Sequence, residues 1–252
     1  MPDVWAGELT DNSKIRHLRK KVSDAAVSQP SFFNIRRIVV SMTIEEAVKK
    51  VADSAREYEK ELSKTKFLLL CRNIKTNEMD CFEIRFPRYA FLHLTGFELS
   101  AQSALKSARD FYNACLEKKL SKKDLLIKDM AYTDKKLTVL PQLINFARYS
   151  KMSVVFDGGR PLLRCDKVVG TTNFSIGLDL KKDFYIPVSC LNEDVRNFGK
   201  DIFRVLAIFS ANLDDTKYLR IRNIAKGIIL TDVDIPEDYK TIIDLSDYRT
   251  PS

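Results

Sequence analysis

The chain has 252 residues, 45% of them hydrophobic, which suits one large or two small domains with a real apolar core. That composition excludes a collagen-like, low-complexity or wholly disordered chain. Lys and Arg (42) outnumber Asp and Glu (34), and the net +8 is uneven: residues 231–252 hold six acids and two bases, leaving +12 on the body to Leu230.

Residues 1–13 are polar and aperiodic and read as a loose arm. The Met-Pro-Asp-Val-Trp start lacks the apolar stretch of a signal peptide, and no run approaches the ~20 apolar residues of a membrane span. The expected location is therefore cytoplasmic, without membrane contact. Residues 14–28 predict a basic helix whose Lys14, Arg16, Arg19, Lys20 and Lys21 go nearly all round, ending before Gln29-Pro30.

Thr43 with Glu46 spells a capping box, and Ile44, Ala47, Val48, Val51, Ala55, Tyr58 and Leu62 then recur on one helical face. Residues 66–74 and 79–86 predict two strands, joined by Lys75-Thr76-Asn77-Glu78 as a hairpin. A helix is predicted around 101–119, with Ala101, Leu105, Ala108, Phe111, Tyr112, Cys115 and Leu116 as its apolar face. Residues 121–130 read as linking or helical, and 134–150 as mostly helical, interrupted by Pro141.

From Lys151 the texture turns to short β-type runs at 152–156, 162–169, 173–180, 184–188, 202–209 and 218–224. Asp157-Gly158-Gly159 and Leu180-Lys181-Lys182-Asp183 are the turns between them. The unbroken run Val205 to Phe209 predicts a strand covered on both faces. Arg220 and Arg222 alternate with Leu219 and Ile221, which places two guanidiniums on one face. The expected class is α+β, N-terminal helices packed on a C-terminal antiparallel β-sheet. Residues 1–42 form a basic arm and helix, 43–230 a single domain and 231–252 an acidic tail.

Five cysteines (Cys71, Cys81, Cys115, Cys165 and Cys190) show no C-x-x-C spacing and read as small buried hydrophobes. The histidines are His17 and His93. Cations surround His17, whereas His93 lies in an apolar run closed by Gly96. No H-E-x-x-H, G-x-S-x-G, Walker A or G-x-G-x-x-G pattern occurs, so classical hydrolase, kinase and dinucleotide chemistry is not expected, nor any cofactor or metal.

The segment Phe86-Pro87-Arg88-Tyr89-Ala90-Phe91-Leu92-His93-Leu94-Thr95-Gly96 resembles the His-Leu-Thr-Gly signature of the phage-associated barnase–EndoU–colicin–RelE-like nuclease domains. Asp166 to Asn173, Ile176-Gly177-Leu178, Phe184 to Pro187, Arg204 to Phe209, Tyr218 and Ile224 to Gly227 are similar too, in the same order. The resemblance covers roughly residues 45–230. It implies a phage or mobile-element, toxin-type ribonuclease with metal-independent activity on a compact helix-plus-sheet scaffold.

Such cleavage uses the 2′-hydroxyl as internal nucleophile and needs proton transfer and positive charge near the phosphorane. His93 is the candidate for proton transfer, with Lys167 and Tyr185 as its catalytic partners. Arg88, Thr171, Thr172, Asn173, Arg220 and Arg222 are candidates for binding RNA. Relatives often place a basic residue after the strand matching Val205 to Phe209, where this chain has Ser210-Ala211-Asn212. Two alternatives therefore stand beside the enzyme: a catalytically inactive nucleic-acid-binding module, and a phage-encoded inhibitor of a host defence complex that contacts a protein partner through its acidic tail.

Overall fold

The computed structural model describes residues 42–159, 163–246 and 248–249; the arm and basic helix expected before residue 42 lie outside them. Helix α1 (Ile44–Glu61) begins at the capping box read from the sequence. The Thr43 hydroxyl accepts the Glu46 N–H at 3.2 Å, and the Thr43 N–H donates to the Glu46 carboxylate at 2.8 Å. Its buried face is Ala47, Val51, Ala55 and Tyr58.

Strands β1 (Thr65–Asn73) and β2 (Met79–Arg85) follow as an antiparallel hairpin. Asn77 turns it with φ 62°, a left-handed conformation that Asn tolerates. After Pro87 come a 3₁₀ turn at Arg88–Ala90 and the five-residue helix α2 (Phe91–Thr95). Then come β3 (Glu98–Leu99), α3 (Ala108–Leu116), β4 (Leu125–Leu126), α4 (Met130–Ile144) and α5 (Phe146–Tyr149).

Helix α3 starts seven residues later than periodicity suggests. Ser103 accepts the Leu105 N–H at 3.0 Å and donates to Asp124 at 2.7 Å, while Ser107 caps the helix by accepting the Asp110 N–H at 3.1 Å. Serine oxygens thus take backbone donors that a longer helix would have used. Pro141 sits inside α4, and the break between α4 and α5 falls at Asn145.

The remaining strands are β5 (Met152–Val155), β6 (Lys167–Gly170), β7 (Ser175–Lys181), β8 (Phe184–Leu191), β9 (Ile202–Asn212) and β10 (Arg220–Ile224), with a last turn of helix, α6 (Glu237–Lys240). Among the described residues the main sheet runs β1-β2-β8-β7-β6-β5-β9-β10, and β1 also pairs with β9. The α+β content is as expected, but the sheet is a closed barrel, not a simple C-terminal antiparallel layer. It recruits β1 and β2 from the helical half, and β2 runs parallel to β8 with Ile84 opposite Tyr185. The closing pair, β1 with β9, joins residues 130 to 147 positions apart, a separation on which local periodicity carries no information.

Eleven residues long, β9 pairs with β1 along one edge and shares the other between β5 and β10. On one side of β1 and β9, Phe67, Leu69, Val205 and Ile208 pack with Tyr58, Phe91, Tyr112 and Phe146 of the helical layer. Several of those rings meet edge to face, as with Phe67 and Phe146 at 4.8 Å. On the other side, Leu68, Leu70, Leu206 and Phe209 are covered by Leu230, Ile235 and Ile243 of the C-terminal segment. The run Val205 to Phe209 is therefore buried on both faces.

Candidate functional site

The His93-Leu94-Thr95-Gly96 motif forms the end of α2. Gly96 closes the helix at φ 78°, and a Cβ there would stand 3.1 Å from the Thr133 Cα and 3.2 Å from the Lys136 Cδ. Glycine is thus required both for the left-handed turn and for the approach of α4. The buried Thr95 hydroxyl donates to the Leu92 carbonyl at 2.7 Å and accepts the Phe97 N–H at 3.2 Å. Leu94 is core, and its carbonyl accepts the Cys190 thiol at 3.1 Å. The His93 carbonyl accepts the Lys136 ammonium at 2.7 Å. Three of the four motif side chains are thereby accounted for by packing and turn geometry, while the His93 side chain is turned outward and exposed.

A second cluster lies inside the barrel. Lys167 opens β6 and its Nζ meets the Asp80 carboxylate of β2 at 2.7 Å, with 13% of the lysine side chain and 24% of the aspartate side chain exposed. The ammonium stands 5.1 Å from the Phe82 ring and 5.9 Å from those of Tyr185 and Phe203. Burial, followed by the carboxylates of Asp80 and Asp166, pushes the Tyr185 phenol up to about 12. It therefore remains a hydrogen-bond donor at neutral pH.

Lys167 and Tyr185 share this cluster. Among the described residues, His93 makes no hydrogen bond, ion pair or ring contact with either. Asp179 holds the Lys181 ammonium above its ordinary range, with smaller contributions from Tyr89, one turn before His93, and from Asp166. Asp166 in turn acts on Tyr185.

The binding candidates are dispersed. Arg88 donates from Nε to Glu59 at 3.0 Å and from its NH2 group to the second Glu59 oxygen, a bidentate clamp between the 3₁₀ turn and α1. Burial pushes the Glu59 carboxyl up, but hydrogen bonds from Arg88, Ser63 and Tyr112 outweigh it, and the net shift is downward. Thr171, Thr172 and Asn173 form the turn after β6, at the opposite end of that strand from Lys167. There the Thr171 hydroxyl donates to Asn173 at 2.7 Å, and Thr172 and Asn173 are exposed. On β10, Arg220 donates to Asn212 at 2.9 Å and Arg222 to Glu61 at 3.4 Å. Of Ser210-Ala211-Asn212, Ser210 and Ala211 are buried within β9, Ser210 opposite Phe67 of β1, and Asn212 is exposed.

Two residues of these regions escaped the sequence reading. Asp80 shares one face of β2 with Phe82 and Ile84, a carboxylate in line with core side chains. Lys136 stands with Thr133, Leu137 and Leu140 on the buried face of α4. In both cases the visible signal was a charge in an apolar register. Among the described residues, no three His, Cys, Asp or Glu side chains are grouped so as to hold a metal ion. No helix of the described residues is long and apolar enough to cross a membrane.

No curated protein and no solved structure matches the chain. A family model, the phage-Barnase-EndoU-ColicinE5/D-RelE like nuclease4, matches residues 50–227. That span runs from the first turns of α1 through β10 and includes the His93 motif, the Lys167–Tyr185 cluster and the whole barrel. The chain belongs to this family of nuclease-like domains.

Proposed function

We propose that the chain is a ribonuclease that cleaves RNA through the substrate's own 2′-hydroxyl, without a metal ion, with His93 as the proton-transfer group. The observation that carries this reading is the motif geometry: Leu94, Thr95 and Gly96 serve packing and the turn, and they leave the His93 imidazole exposed at the end of α2. Imidazole is the side chain best matched to proton transfer near neutral pH. In the step itself the 2′-oxygen attacks phosphorus, the P–O5′ bond breaks and a 2′,3′-cyclic phosphate forms. One proton leaves the 2′-hydroxyl and one reaches the departing 5′-oxygen, and His93 serves one of these transfers.

Tyr185, protonated at working pH, supplies a donor for a phosphate oxygen. Lys167 stands beside it, its ammonium 5.9 Å from the Tyr185 ring, and meets a phosphate only by giving up part of its pairing with Asp80. The exposed Tyr89 ring, one turn before His93, is a surface on which a base can stack. Arg220, Arg222, Thr172, Asn173 and Arg88 extend the contact to the rest of the strand, and the net +8 of the chain favours a polyanion.

A second reading, binding without cleavage, is favoured by the pairing of Lys167 with Asp80, which neutralises the cluster's own cation. End-labelled RNA incubated with the purified chain in EDTA separates the two. Fragments ending in 2′,3′-cyclic phosphate are expected. Intact RNA that nevertheless shifts in a binding assay would leave the second reading standing.

A further inference from the structure

Beside α2 lies a small pocket between α4 and the end of β8, lined by Tyr132, Lys135, Lys136, Cys190, Asn192 and Glu193, with a volume of about 180 Å³. Lys136 is 5% exposed, yet its ammonium meets the His93 carbonyl at 2.7 Å and the Tyr132 ring at 5.0 Å, and no carboxylate among the described residues lies within ion-pair distance. A buried ammonium balanced only by a carbonyl and a ring face is under-compensated. Lys167, by contrast, already has its counter-charge in Asp80. Lys135, exposed on the same wall, adds a second cation. The volume is below that of a typical small-molecule site and suits a phosphate group better than a nucleoside.

We infer that this pocket is a phosphate subsite, in which the Lys136 ammonium, supported by Lys135 and Asn192, takes a backbone phosphate of single-stranded RNA beside His93. The inference rests on the reading of His93 as the reacting group and names the cation that accompanies it. Because the ammonium meets the His93 carbonyl at 2.7 Å, a phosphate held there lies against the backbone of the proton-transfer residue. A phosphate there would give the Lys136 ammonium a direct counter-charge, with the Tyr132 ring beside it.

The test uses the full chain and a single-stranded RNA of about a dozen nucleotides, uniformly 2′-O-methylated so that it cannot be cut through the 2′-oxygen. Binding is followed by anisotropy across a salt series. Lys136→Met is expected to weaken binding about tenfold and to flatten the plot of log affinity against log salt by about 0.7, the loss of one phosphate contact on a single strand. A residue that merely held α2 in place would not move that slope. Should Lys136→Met fail to fold, as judged by its melting curve, the exposed Lys135→Gln and Tyr132→Ala carry the test: Lys135→Gln should flatten the slope, and Tyr132→Ala should weaken binding severalfold. Variants that bind with wild-type affinity and slope would overturn the subsite while leaving the nuclease reading intact. A wild-type chain that does not bind the oligonucleotide at all would overturn both.

Discussion

Asp80 and Lys167 meet at 2.7 Å within reach of three aromatic rings, where water is scarce and neither charge is well solvated alone. Removing one partner leaves the other uncompensated, so Asp80→Asn should lower unfolding stability by about 3 kcal/mol. The double replacement Asp80→Leu with Lys167→Met should cost much less, and urea titration of the two variants beside the wild type checks this. Titrating groups add a pH limit. Burial pushes the thiols of Cys81, Cys115 and Cys165 up from 9 to about 12, the Cys190 thiol to about 11 and the Tyr185 phenol from 10 to about 12. The unfolded chain releases these protons at the ordinary values and the folded one holds them longer. Unfolding therefore releases protons, and stability falls as pH rises from about 9 towards 12. Urea midpoints at pH 8 and pH 10.5 should differ accordingly; equal midpoints would contradict this burial. At this scale His93 was legible because an imidazole in an apolar run stands out. The meeting of Lys167 with Asp80, and of Lys136 with His93, was not, because strands and helices far apart in sequence supply the two halves.

Gly96 joins two elements, since its left-handed turn ends α2 and its missing side chain lets α4 approach. Gly96→Ala should cost about 1–2 kcal/mol from the backbone alone. It should also displace Thr133 and Lys136, so the melting temperature and binding to RNA fall together. The Arg88–Glu59 clamp has a similar office between the 3₁₀ turn and α1, which makes Arg88 a structural arginine in the free protein. Element boundaries were readable wherever a side chain signals them locally. The Thr43–Glu46 box starts α1, and Asn77 turns the first hairpin. They were unreadable where the deciding partner is remote. Ser103 breaks the apolar period ahead of α3 partly through Asp124, twenty-one residues on. Helix α2 is too short for a period to show at all.

At the scale of the whole molecule, the helical layer and the C-terminal segment cover opposite sides of the same two strands, β1 and β9. Charge made residues 231–252 look like an appendage. Their apolar side chains instead form part of a core, while Asp232, Asp234, Glu237 and Asp238 are exposed. Each fully buried Leu or Ile contributes ~1.5–3 kcal/mol, so ending the chain at Ile229, which removes Leu230, Ile235 and Ile243, should abolish cooperative folding or cause aggregation, as read by calorimetry. Any effect of the segment's charge on RNA binding is better read by changing the four exposed acids to their amides, which leaves the apolar cover in place. Barrel closure was invisible in the sequence because it depends on pairing between distant strands, each of which reads locally as an ordinary apolar run. The most direct test of the account is the single-turnover cleavage of labelled RNA in EDTA by the wild-type chain and by His93→Ala. The wild type should cut to 2′,3′-cyclic ends, and the variant should cut at least ~10²-fold more slowly while still binding the 2′-O-methylated strand. Equal rates for the two proteins, or RNA left intact by both, would contradict it.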